Sequence, residues 1–155
     1  MLEAARWAPS PHNSQPWSFI VVKDRKTIEE LLEISYYGAF YSEPSLIIAI
    51  VLEPIFEDQK ALLRGSAKNF VQSHRYMTIS IPAINITYEA ASLGIGSCLL
   101  SLLTEKAGKI LNMPEGREAV LAVGLGYEKS GTFQKKRERK GLERIVHYER
   151  YGGKE

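Results

Sequence analysis

The stretch "SLIIAIVLE" at residues 45–53 constrains the fold more than any other, because its apolar residues run almost unbroken and leave no polar face for water. Such a strand is covered on both faces, so it predicts a sheet with helices above and below. "WSFIVVKD" from Trp17, "IGSCLLSLL" from Ile95 and "EAVLAVGLGYE" from Glu118 read as its neighbours. Between them, "TIEELLEIS" reads as an amphipathic helix with Ile28, Leu31 and Leu32 on one side, and "TEKAGKILN" as a short helix. Residues 2–8, "LEAARWA", are good helix formers that stop before Pro9, since the residue preceding a proline is pushed out of the α region. From Ser66 to Leu93, Phe70, Met77, Ile81, Ile84, Tyr88 and Ala91 recur at helical intervals. They predict one long, mostly buried helix, stopped by Gly94 and kinked or split at Pro82.

Several classes of function fall away on composition. Of 155 residues, 45% are hydrophobic and 25% charged, and no apolar run approaches the ~20 residues that span a bilayer. The start, "MLEAARWAPS", lacks the basic-then-apolar layout of a signal, and Cys98 is the sole cysteine. A soluble, cytoplasmic chain without a disulfide framework is expected, folded as a single domain over residues 1–155. The net charge of +2 points to no nucleic acid, although seven of the 20 Lys and Arg lie between Lys135 and Arg150. That run is either a solvated charged segment or a holder of phosphate. No basic helix or aromatic stacking platform accompanies it. Neither G-x-G-x-x-G nor G-x-x-x-x-G-K-[ST] follows a strand, so an ordinary nucleotide-binding fold is not expected.

The segment "APSPHNSQPW" at residues 8–17 concentrates hydrogen-bonding side chains on a proline-stiffened loop. It costs little entropy to order, so Ser10, Asn13 and Gln15 either greet a flat, polar-edged ligand or cap and turn the chain. His12, His74, His147 and Cys98 show no metal-ligand spacing, and no metal is expected. Cys98, inside a strand, reads as a small hydrophobe. Among the aromatics, "SYYGAFYSEPS" is the best candidate for contact with substrate.

Four segments in order, "AARWAPSPHNSQPWSFIVV", "AINITYEAASLGIGSCLLS", "LNMPEGREAVLAVGLGY" and "RKGLERIVHYERYG", resemble the FMN-dependent nitroreductases, which reduce nitro compounds, quinones and flavins with NAD(P)H. The resemblance implies an α+β sandwich, a central mainly antiparallel sheet surrounded by helices, assembled as an intertwined homodimer with FMN in two interfacial clefts. By this likeness Pro9, Ser10, Pro11 and Asn13 lie against the flavin, commonly from the partner subunit, with Gln15 just behind. Leu99, Leu100 and Ser101 supply backbone groups at the reactive edge, and Arg137 and Arg139 bind the phosphate. Residues 131–155 then form a basic segment and dimer arm in which Leu142, Ile145 and Val146 are to be buried. The implied reaction carries hydride from NADH or NADPH through flavin N5 to a planar acceptor by ping-pong turnover. A non-enzymatic flavin-binding or regulatory dimer is the alternative.

Two features depart from that family. Its upstream helix with an Arg-x-Ser-x-Arg motif is absent, and Leu102 stands in a stretch where the family favours glycine, so that it could crowd the flavin. A truncated chain, a short branch holding FMN by its C-terminal arginines, and a relative without flavin all fit. With loop, strand and basic tail present, FMN is expected to bind.

Overall fold

In a computed structural model, residues 1–36, 43–54, 68–131 and 137–155 are described, with backbone alone for 68–72. The helices are α1 (Leu2–Arg6), α2 (Arg25–Glu33), α3 (Lys68–Ser92) and α4 (Thr104–Ile110). The strands are β1 (Trp17–Val22), β2 (Leu46–Leu52), β3 (Gly96–Ser101) and β4 (Glu118–Gly126). They form an antiparallel sheet in the order β1-β2-β4-β3. The expected α+β architecture is present.

Strand β2 runs through the centre and is buried on both sides. Ile48, Ile50 and Leu52 face α1 and α3, where Ala5, Ile79, Ala83, Ile86 and Ala90 meet them. Ile47 and Ala49 face the opposite layer, with Ile28, Leu31 and Ala107 from α2 and α4. Alternation along one apolar strand thus builds two cores, each fully buried large side chain contributing about 1.5–3 kcal/mol.

Asp24 caps α2, accepting from the Thr27 N–H at 2.9 Å, a normal N-cap contact. Helix α3 runs unbroken through the fully buried Pro82, so no seam divides it there. It ends where expected. Gly94, at φ 68°, donates to the Ala91 carbonyl at 3.1 Å, and Ile95 to that of Ala90 at 2.8 Å. This paired closure requires a left-handed residue, and glycine adopts it without a Cβ clash.

The stripe that predicted the buried face of α3 lies on the other side. Met77, Ile81, Ile84, Tyr88 and Ala91 are exposed, Tyr88 by 73%, and the residues turned inward are Thr78, Ile79, Pro82, Ala83, Ile86 and Ala90. The helix is apolar nearly all round, and periodicity alone does not say which stripe meets the sheet; the Phe70 side chain lies outside the described residues. In the single chain Leu142, Ile145 and Val146, expected to be buried in a dimer arm, are exposed, with a 3-10 turn at Leu142–Arg144. Among the described residues no helix is long and apolar enough to cross a membrane.

Replacing Ile86 by Ala is expected to lower unfolding stability by about 2–5 kcal/mol. Urea denaturation should show an earlier midpoint with an unchanged slope.

Candidate functional site

Alanine 8 is buried, and the chain then leaves the protein's interior as an exposed loop. Ser10 is extended, residues Pro11–Asn13 form a 3-10 turn, and His12, Asn13 and Gln15 have φ of 53°, 53° and 43°. Three left-handed residues without glycine in four positions carry strain of order 1 kcal/mol each, so the loop needs internal braces. Ser10 supplies two: its hydroxyl accepts from the Gln15 N–H at 2.9 Å, and its carbonyl from the Asn13 N–H at 3.0 Å. The Gln15 side-chain amide donates to the Asn13 carbonyl at 3.3 Å. Ser10 and Gln15 therefore perform turn chemistry, leaving Asn13, Pro9 and Pro11 exposed around the crest.

Just before the loop, Arg6 and Trp7 donate to the Glu3 carboxylate, at 3.0 Å from Arg6 Nε and 2.8 Å from Trp7 Nε1. These bonds, that from Arg6 foremost, hold the Glu3 carboxyl down to about 2.

Strand β3 lies at the far edge of the described sheet. Leu100 and Leu102 are buried toward α2 and α4, with Cys98 packed beside them, whereas the Leu99 side chain is exposed. Leu102, in the stretch where the resembled family favours glycine, thus points into the core and does not crowd the strand's outer edge. The Leu102 N–H donates inward to the Val120 carbonyl at 2.9 Å, at a bulge that shifts the β2–β4 register. By alternation the backbone groups of Leu99 and Ser101 point outward. Outside, the Ser101 carbonyl accepts from Tyr36 N–H at 3.1 Å, and the Leu103 N–H donates to Ile34 at 3.3 Å. The Leu99 N–H is an outward-facing donor, whereas that of Ser101 faces the Tyr36 segment.

Burial pushes the Cys98 thiol up, and the Arg137 guanidinium pulls it part of the way back, which places Arg137 within electrostatic reach of β3. Arg139 is exposed and donates to the neighbouring Glu138 carbonyl at 3.0 Å. The charge of Arg137 is thus felt at Cys98 of β3, whereas the Pro9–Gln15 loop feeds β1 at the opposite edge, three strand spacings or about 14 Å across the sheet. Tyr37, Phe40 and Tyr41, expected near substrate, lie outside the described residues. Among those described, no cluster of three metal-ligating side chains occurs.

One set of side chains was missed in the sequence: Ser18, Glu53, Arg75, Arg117 and Glu118 meet beside the root of the loop. Glu53 accepts from Ser18 Oγ at 2.6 Å and pairs with Arg117 Nε at 2.8 Å. Its backbone carbonyl accepts from Arg75 Nη2 at 2.7 Å. These residues come from four separated segments with no common spacing, so no sequence signal joins them.

The sequence pattern of the nitroreductase family matches residues 1–127. The chain belongs to the nitroreductase family. A protein of Archaeoglobus fulgidus, provisionally named an NADH dehydrogenase/NAD(P)H nitroreductase, is 31% identical over 134 residues, 83% of this chain and 71% of that one. Among solved structures, a nitroreductase family protein from Streptococcus pneumoniae superposes with a TM-score of 0.79 at 22% identity, covering 94% of this chain and 85% of that one. An FMN-dependent nitroreductase from Clostridium difficile has a TM-score of 0.71 at 22% identity, covering 96% and 84%. The family match takes in the loop and β3 and ends just past β4, so Arg137 and Arg139 lie outside it.

Because burial raises the Cys98 pKa, its alkylation at neutral pH is expected to run several-fold slower than that of free cysteine, and to keep rising with pH beyond the ordinary thiol range. Arg137→Ala should slow it further. Iodoacetamide labelling followed by mass spectrometry checks both.

Proposed function

We propose that this nitroreductase-family chain is an FMN-dependent oxidoreductase, a single domain that works as a homodimer. It takes hydride from NADH or NADPH and passes electrons to a planar acceptor such as a nitroaromatic, a quinone or a free flavin. The observation that supports the reading is β3, where the Leu99 N–H is turned to the outer edge and the charge of the Arg137 guanidinium is felt at Cys98 in the same strand. That donor set suits FMN: an N–H group for the polar edge of the ring, and a planar fork for the phosphate, with Arg139 next along the chain. When bound, FMN supplies two-electron chemistry between nicotinamide and acceptor. The protein binds and orients, and no acid or base need be supplied by a side chain.

The placing of the two halves supports the homodimer. The loop bearing Pro9, Pro11 and Asn13 belongs to the edge opposite β3, so one chain does not close a cleft from both. A second copy does so if its loop meets the first copy's β3. Met77, Ile81, Ile84 and Tyr88 on α3 form a seam at four- and three-residue steps, the spacing that a partner helix covers. Leu142, Ile145 and Val146 give the arm an apolar face for the same partner. Nicotinamide and acceptor would then use one cleft in turn.

Titration with FMN should give a protein-bound visible spectrum that NADH or NADPH bleaches. A spectrum that stays unbleached would leave a flavin-binding dimer without catalysis, and failure to take up FMN sinks the reading. Arg137→Ala should weaken FMN binding by about tenfold or more, the worth of a charge-assisted hydrogen bond. Ile84→Asp should shift sedimentation from dimer to monomer.

A further inference from the structure

We propose that Glu53 is a positioning residue that fastens the Pro9–Gln15 loop to the sheet and so sets the affinity of the loop for its ligand. This rests on the reading of that loop as part of an FMN cleft. Glu53 follows β2 directly and is only 17% exposed at its side chain. Its backbone N–H donates to the Pro16 carbonyl at 3.1 Å, at the point where the loop becomes β1. One residue earlier, Gln15 accepts from the Trp17 N–H at 2.8 Å.

Glu53 is in turn clamped from three sides, twice at its carboxylate and once at its backbone carbonyl. Ser18 on β1 holds the carboxylate at 2.6 Å, Arg117 just before β4 holds it at 2.8 Å, and Arg75 on α3 holds the carbonyl at 2.7 Å. Arg75 is also paired with Glu118 at 3.7 Å, and Glu118 accepts from the Tyr76 hydroxyl at 2.9 Å. Two carboxylates and two guanidiniums therefore balance in charge around a single peptide unit. The loop needs such a post. Its left-handed residues oppose its own geometry, and the Ser10 brace acts within the loop and does not tie it to the rest of the molecule. Glu53 touches no ligand in this account; it acts through Pro16.

The test compares the full-length wild type with Glu53→Gln and with the milder Ser18→Ala, which removes one clamp and keeps the carboxylate. Hydrogen exchange on ligand-free protein should quicken roughly tenfold for the amides of Asn13, Ser14, Gln15 and Trp17 in Glu53→Gln, and less in Ser18→Ala, the scale at which hydrogen-bonded supports modulate a neighbouring site. Exchange at Ile48–Ile50 and Ala122–Leu125 should stay at the wild-type level, and the FMN dissociation constant should rise in the same order. The proposal is overturned by wild-type loop exchange in both variants, by a rise spread evenly across the sheet, or by a loosened loop with unchanged FMN affinity. Should the wild type itself bind no FMN, the cofactor reading fails, and the exchange data still decide whether Glu53 holds the loop.

Discussion

Burial of β2 on both faces is the constraint from which the rest follows. A strand with apolar side chains on each side demands two layers of helix, and those layers fix where β1 and β4 pair with it. Once β2 and β4 occupy the middle, β1 and β3 are left as edges. Only edge strands offer backbone groups to a ligand or to another chain. The chain's most hydrophobic segment thereby determines which of its polar groups are available for chemistry.

Much of this architecture was readable in the residues themselves. Apolar runs mark all four strands, and Gly94 stops α3 as its lack of a side chain suggests. The apolar pattern of "TIEELLEIS" starts only at Thr27 and does not reveal the cap of α2, Asp24, three residues earlier. The orientation of α3 was not recoverable. Both Ile84 and Ile86 belong to plausible apolar stripes, and only the shape of the sheet selects Ile86 for the core. For the site, the loop residues and β3 stood out by resemblance to known proteins, whereas Glu53 and its partners come from distant segments and meet only once the chain has folded.

The structure divides the polar residues of the loop by what they do. Ser10 and Gln15 spend their hydrogen bonds on the turn, so its crest is left to Pro9, Pro11 and Asn13. A stiff crest with few unspent donors suits the face of a ring better than a charged group. In the proposed reading the charge is supplied elsewhere, by Arg137, whose field reaches Cys98 on β3. In the proposed reading, face and phosphate recognition fall to different edges of one sheet, which is why that reading includes a two-fold assembly.

The closure at Gly94 has a mechanical meaning. With α3 ending at Ser92 and β3 starting at Gly96, the Ile95 amide still bonded back to Ala90, helix and strand share almost no slack. A tilt of α3 against whatever covers its outer seam is handed directly to the rim of the sheet. Two copies joined along that seam would be geared together, so that the fit of one crevice reports on the other.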